Sequence, residues 1–495
     1  MLQIILLQAG GHKIRVLNSI LKRLFDEVNT SINITFSKYD YGMIDLPVNI
    51  GFLLGNVIRS SKALISITME GKSIFREGVT KFVSSRKSVD VFVTSLATLK
   101  GLQTLLLPWN SIGPAGAASL APSLMELLRL HELDLSRNYI GPAGAASLAP
   151  SLMMLTGMHA LNLDYNDIGP VGVASLVPSL MMLTGMHTLK LCGNSMGPAG
   201  AASLAPSLME LLRLCELDLS YNDIGPVGVV SLVPSLMMLT GMHMLKLCRN
   251  STGPAGAASL APSLMELFRL RELHLSGNYF KPAGTALLAP VLVTLTRLHE
   301  LYLGENALRP AGAALLGPLL MKLTGLEVLV LGGNAIGPAG TASLAPSLMA
   351  LTGLQHLHLS SNALGPAGAA ILAPALRAQT GLRSLFLHGN SLGPDGAASL
   401  APSLMMLTGL HTLILGYNAI GSAGAETLVP SLMTLTGLYE LYLAGNGIGT
   451  AVAASIRLSL KRLTELHELD LGYSDDDDYS DDSDDDEEDD DGDLD

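Results

Sequence analysis

From Leu102 onward, apolar and polar positions follow a pattern that returns every 28 residues. One copy, Leu130 to Gly157, reads LHELDLSRNYIGPAGAASLAPSLMMLTG. Leu133 and Leu135 are two residues apart, so on a strand both face one side while Glu132, Asp134 and Ser136 face the other. Asn138 closes the strand, where its amide can satisfy backbone groups of the turn and of the neighbouring coil. Ile140-Gly141-Pro142 then supplies a turn glycine and a proline suited to the first helical position. Gly144, Leu148, Leu152 and Leu155 follow at three- and four-residue spacing, one face of a helix. Pro150 falls inside that helix, and an interior proline costs roughly 3 kcal/mol in a straight one. The pattern therefore predicts two short helical pieces per unit, the second starting at Pro-Ser-Leu.

The closing asparagine recurs at positions 110, 138, 166, 194, 222, 250, 278, 306, 334, 362, 390, 418 and 446, with no insertion between copies. No unit can bury its leucines alone, so the units must stack. Strands then form a parallel sheet on one side and helices line the other. Helices are wider than strands, so the stack curves with the sheet inside. The run L-H-E-L-D-L-S-R-N-Y-I-G-P-A-G-A-A-S-L resembles the ribonuclease-inhibitor class of leucine-rich repeats. That class includes the repeats of nucleotide-binding immune receptors and of Ran GTPase-activating proteins. The resemblance spans residues 102–473 and implies an α/β leucine-rich-repeat solenoid. In that horseshoe the parallel β-sheet is concave and the helices are convex.

Three regions are expected. Residues 1–101 read as an N-terminal cap with irregular, decayed repeats. Ile14 to Val28 has the pattern of an amphipathic helix, and Leu64, Ile67 and Met69 stand where strand leucines belong, with Lys72 in place of the asparagine. A further decayed copy begins near Ile34 and Phe36. Residues 102–473 are the array, thirteen regular repeats and a terminal half repeat. Residues 474–495 are an acidic tail that holds 16 of the 43 acidic residues. Such a block repels itself and buries no apolar surface, so it is expected to be disordered. The chain's net charge of −13 comes from this tail, because the 30 basic residues outnumber the acids left elsewhere.

Composition narrows the function classes. Hydrophobic content of 48% and a mean hydropathy of +0.41 reflect repeat leucines and alanines. No uninterrupted apolar run reaches the 18–20 residues of a membrane span. Three cysteines cannot make a disulfide framework, and Cys192 and Cys248 should lie about 10 Å apart, beyond disulfide reach. The cytoplasm, or the nucleus, is the expected compartment. No phosphate loop, H-E-x-x-H, C-x-x-C or G-x-S-x-G pattern is present, so no enzymatic activity, cofactor or metal is expected. Histidines 131, 159, 187, 243, 299, 411 and 467 share one repeat position, which explains them as repeat filler. His356, His358 and His388 fall on adjacent strands with no acidic or thiol partner obvious beside them.

The candidate binding surface is the row of outward strand positions four before each asparagine. Its first half contains Asp134 and then Lys190, Asp218 and Lys246, and these last three alternate in sign and can pair laterally. Its second half contains Tyr302, Phe386, Ile414 and Tyr442, with Tyr417 nearby. Aromatic side chains clustered on an otherwise wet surface favour protein contact. Trp109 beside the first regular asparagine either covers the seam between cap and array or anchors a ligand. The expected function is a non-enzymatic scaffold binding a protein partner on the concave face, with the tail recruiting basic proteins. Nucleic acid is not an expected partner, because phosphate contacts need a basic face. The resemblance also implies an alternative, a Ran-type GTPase-activating protein, which likewise joins such repeats to a C-terminal acidic region.

Overall fold

The computed structural model describes residues 2–5, 31–35, 66–70 and 92–472. Among these, every strand belongs to a single seventeen-stranded sheet. Strands β1 (Leu2–Ile5), β2 (Ser31–Thr35) and β3 (Ser66–Glu70) lead into β4 (Thr104–Leu106). From β5 (Glu132–Asp134) to β17 (Glu468–Asp470) one three-residue strand follows every 28 residues. Neighbours pair parallel and in chain order, with no crossover. The register equals the repeat: Glu132 lies opposite Ala160, and His274 opposite Tyr302. A residue's lateral neighbours are therefore the residues 28 before and 28 after it.

A helical turn at 92–96 precedes α1 (Gly113–Leu124), and one helix then follows each strand, from α2 (Gly141–Met154) to α13 (Thr450–Leu460). The core lies between the two layers. Leu130, Leu133, Leu135, Ile140, Leu148, Leu152 and Leu155 are all fully buried, and the same positions are buried in successive units. Adjacent helices approach closely at the glycine of the first turn. A Cβ on Gly144 would come within 2.6 Å of Ile140 Cγ2 and 3.2 Å of the Pro114 backbone, so only glycine fits there.

The helices do not break at their prolines. Helix α2 continues through Pro150, contrary to the two pieces that the sequence predicts. Two features offset the cost of the ring. Pro150 and Ala146, whose carbonyl loses its donor, both lie on the exposed outer face, where water can replace the missing N–H. The next residue, buried Ser151, donates its hydroxyl to Ala121 O of the preceding helix at 2.7 Å. Equivalent bonds join Ser179 to Ala149 O and Ser235 to Ala205 O. In these units the Pro-Ser pair serves as a helix-to-helix staple instead of a helix start, whereas Ser207 and Ser263 donate to Leu204 O and Leu260 O of their own helices.

The asparagines form a buried ladder along the sheet edge. In Asn334, Nδ2 donates to Leu303 O and Leu331 O, both at 2.9 Å. Its Oδ1 accepts the amides of Asn306 (2.9 Å) and Leu308 (3.3 Å) in the preceding unit. The repeated asparagine is therefore a structural bond between units and projects nothing to solvent. The expected helix at 14–28 and the acidic tail lie outside the described residues. Among the described residues, no helix is long and apolar enough to cross a membrane.

Candidate partner-binding face

The concave face is built from the first and third residue of each strand, because the middle leucine points into the core. Leu301, Leu329, Leu357, Leu385, Leu413 and Leu441 are fully buried, while the residues flanking each are mostly half-buried. The register sets Tyr302, Val330, His358, Phe386, Ile414 and Tyr442 side by side on six consecutive strands. These six make one unbroken row, interrupted by no charged residue. Four of them are binding candidates from the sequence; Val330 and His358, at the same repeat position, complete the row.

Within the row, His358 stacks on Phe386 with ring centroids 5.1 Å apart. Burial, then the neighbouring His388, lowers the pKa of His358, so its imidazole is held neutral. Between Tyr302 and Phe386 the surface dips into an open hollow of about 370 Å³. Glu300, Val328, Val330 and His356 share its lining. At the far end Tyr442 donates its hydroxyl to Glu468, and this bond raises the tyrosine pKa to about 12. Tyr417 is not in the row. It stands on the turn after β15 (Thr412–Ile414), 71% exposed, with its ring over Gly445.

The charged half of the face differs from expectation. Lys190, Asp218 and Lys246 are lateral neighbours, yet they close no ion pair. The short aspartates turn instead toward their own loop. Asp218 Oδ1 accepts the amide of Ser220 at 2.9 Å, and Asp134 does the same for Ser136 at 2.8 Å. Asp134 also accepts a bond from Asn162 Nδ2 at 3.0 Å. Their carboxylates thus spend themselves on backbone amides, which the alternation of charge along the sequence does not reveal. Deeper in the same half, burial pushes the Asp164 carboxyl up to about 7, against the opposing bond from the Cys192 amide.

His356, His358 and His388 do not converge on a common point. His358 and His388 meet edge to face at 6.0 Å. A different cluster does converge, where β10 (Glu272–His274) meets β11 (Glu300–Tyr302). Ligand atoms of Glu272, His274 and Glu300 all lie within 4.8 Å of one another. His274 stacks on Tyr302 at 3.9 Å, nearly parallel, and Tyr302 donates its hydroxyl to Glu300 at 2.9 Å.

A second row runs along the residue just before each asparagine. The Arg137 guanidinium lies between two rings, 4.4 Å from Trp109 and 3.9 Å from Tyr165. Further on, Arg249 crosses Gly277 to reach Glu305 at 2.6 Å. Trp109 is therefore tied forward, into the regular array.

Five stretches, residues 130–149, 158–177, 214–233, 351–373 and 408–429, match a family model described as Leucine Rich repeat. No curated protein matches the chain. Among solved structures, a leucine-rich-repeat protein of Leptospira interrogans is 20% identical, over 91% of this chain and 98% of that one, with a TM-score of 0.48. An internalin of Listeria monocytogenes is 19% identical over 87% of this chain and 98% of that one, with a TM-score of 0.38. The 28-residue period, the single parallel sheet and the matched segments together make this chain a leucine-rich-repeat solenoid.

Proposed function

We propose that the chain is a non-enzymatic scaffold that binds a protein partner on the concave face between Tyr302 and Tyr442. The observation that carries this reading is the unbroken row of Tyr302, Val330, His358, Phe386, Ile414 and Tyr442, half-buried and in register around an open hollow. Six strands at a spacing of about 4.8 Å give the row a span of roughly 24 Å. That is the scale of one side of an ordinary protein interface. Rigid aromatic side chains give contact area at little entropic cost, and aromatics are enriched where interfaces are strongest. The polar half, with Asp134, Lys190, Asp218 and Lys246, would then fix orientation at the rim.

The acidic block at 475–495 serves as a second, electrostatic attachment for basic proteins, acting over about a Debye length. The decisive experiment is affinity capture by the full chain and by a chain ending at residue 474, with a Ran GTP-hydrolysis assay alongside. Partners retained without the acidic block place binding on the solenoid. Partners lost with it place binding on the block, and acceleration of hydrolysis replaces the scaffold by a GTPase activator.

A further inference from the structure

We propose that Glu272, His274 and Glu300 form a binding site for a divalent transition-metal ion of the zinc type. The register brings them together: Glu272 and His274 are the outward residues of one strand, and Glu300 lies opposite Glu272 on the next. All three are partly buried, and their ligand atoms lie within 4.8 Å of one another. The His274 Nε2 atom points at Glu272 Oε2 from 3.7 Å, too far for a hydrogen bond. It is shielded from solvent and has no hydrogen-bond partner. A shielded nitrogen beside two carboxylates, hydrogen-bonded to neither, is placed as a metal ligand is. Zinc binds nitrogen and carboxylate oxygen at about 2.0–2.2 Å, and a tetrahedral set at that radius separates its ligand atoms by roughly 3.4 Å. One pair stands at 3.7 Å and all three atoms lie within 4.8 Å, so side-chain rotation has to draw the set together around an ion.

Two further features suit a cation. Tyr302 holds two of the three ligands at once, stacking on the His274 ring and donating its hydroxyl to Glu300 Oε2, which leaves Oε1 for a metal. The two carboxylates, side by side on adjacent strands, repel one another in the absence of a cation. Lys246, in register with His274, opposes the ion with one positive charge against two negative ones. Three protein ligands leave a fourth position toward the concave face for water or a partner's side chain. This site does not depend on the partner-binding reading, although Glu300 and Tyr302 also line the hollow.

The test is titration of the metal-stripped full chain with Zn2+ by calorimetry, and with Co2+ by visible absorption. One Co2+ per chain with the intense bands of four- or five-coordination is expected. Glu272→Gln and Glu300→Gln, which preserve shape, should each weaken Zn2+ by about tenfold or more. Lys246→Met should tighten it. A His131→Gln, His159→Gln, His187→Gln variant controls for the exposed histidine row, whose rings lie 5.0 and 5.2 Å apart, and should bind as the native chain does. Far-UV circular dichroism and melting temperature report that each variant is folded. The proposal is overturned if the native chain takes up no Zn2+ at micromolar concentration. It is equally overturned if folded His274→Gln and Glu272→Gln variants titrate like the native chain, or if uptake disappears with the exposed histidine row.

Discussion

Replacing Asn334 by leucine tests the bond that joins one unit to the next. The side chain is fully buried, and its four shortest hydrogen bonds go to two backbone carbonyls and two backbone amides. Three of those four bonds are 2.9 Å long. Leucine has similar bulk but leaves these groups unpaired in an apolar interior. An unsatisfied buried group costs about 1–3 kcal/mol, and allowing for local relaxation the total loss should be about 3–5 kcal/mol. Stability in a solenoid is a sum over units and their interfaces, so the loss should be felt first on either side of the lesion. Native-state hydrogen exchange should show the Asn306 and Leu308 amides opening far faster, and urea unfolding followed by circular dichroism should shift to lower denaturant. Asn162, by contrast, belongs to the half-buried concave row. Asn162→Ala should cost less than about 1 kcal/mol, as surface substitutions do. The reasoning fails if Asn334→Leu costs no more than Asn162→Ala and leaves exchange at residues 306 and 308 unchanged.

Three other perturbations follow from the structure. Lys281 and Arg309 adopt φ of +58° at the turn where most units have glycine, so Lys281→Gly and Arg309→Gly should each raise the thermal midpoint, by about 0.5–1 kcal/mol in stability; no change or a loss would show that the turn carries no strain. Asp164 has its folded carboxyl raised from 3.8 to about 7 by burial and by Asp218 and Asp134, against Cys192 and Lys190, so the fold favours its protonated form. Its contribution is therefore intact below about pH 4 and is lost as pH rises through 7; Asp164→Asn should stabilise by roughly 2–3 kcal/mol at pH 8, after discount for partial exposure, and change little at pH 4, a difference read from paired denaturant curves. Arg137→Ala removes the cation from above the chain's single tryptophan. Trp109 emission should shift to the red at a cost of about 0.5–1 kcal/mol, and an unmoved spectrum would mean that the contact does not order the ring.

The solenoid was legible because its determinants are local and repeat. The Leu-x-Leu strand, the asparagine and the glycine-proline turn each have one physical use, and thirteen copies leave no ambiguity of register. The proline was misread for an instructive reason. Its cost is local, whereas what offsets it, the Ser151 bond to Ala121 O, lies in another helix and is invisible in a single unit. Asp218 differs from expectation for a similar reason, because sequence shows opposite charges as neighbours and does not show that the carboxylate already serves a backbone amide. The Glu272, His274 and Glu300 cluster had a readable signal, since the three occupy positions i, i+2 and i+28 on one face. What sequence does not supply is the side-chain direction that turns His274 toward Glu272.

The central claim, that Tyr302, Phe386 and Tyr442 hold a protein partner, is tested most directly by changing all three to serine. None of the three belongs to the buried leucine core, so the substitutions should leave the fold and its melting transition in place. Affinity for a partner captured by the chain ending at residue 474 should then fall at least about a hundredfold, as loss of clustered aromatic anchors implies. Undiminished binding by the folded triple variant would contradict the account and move the interface off the concave face.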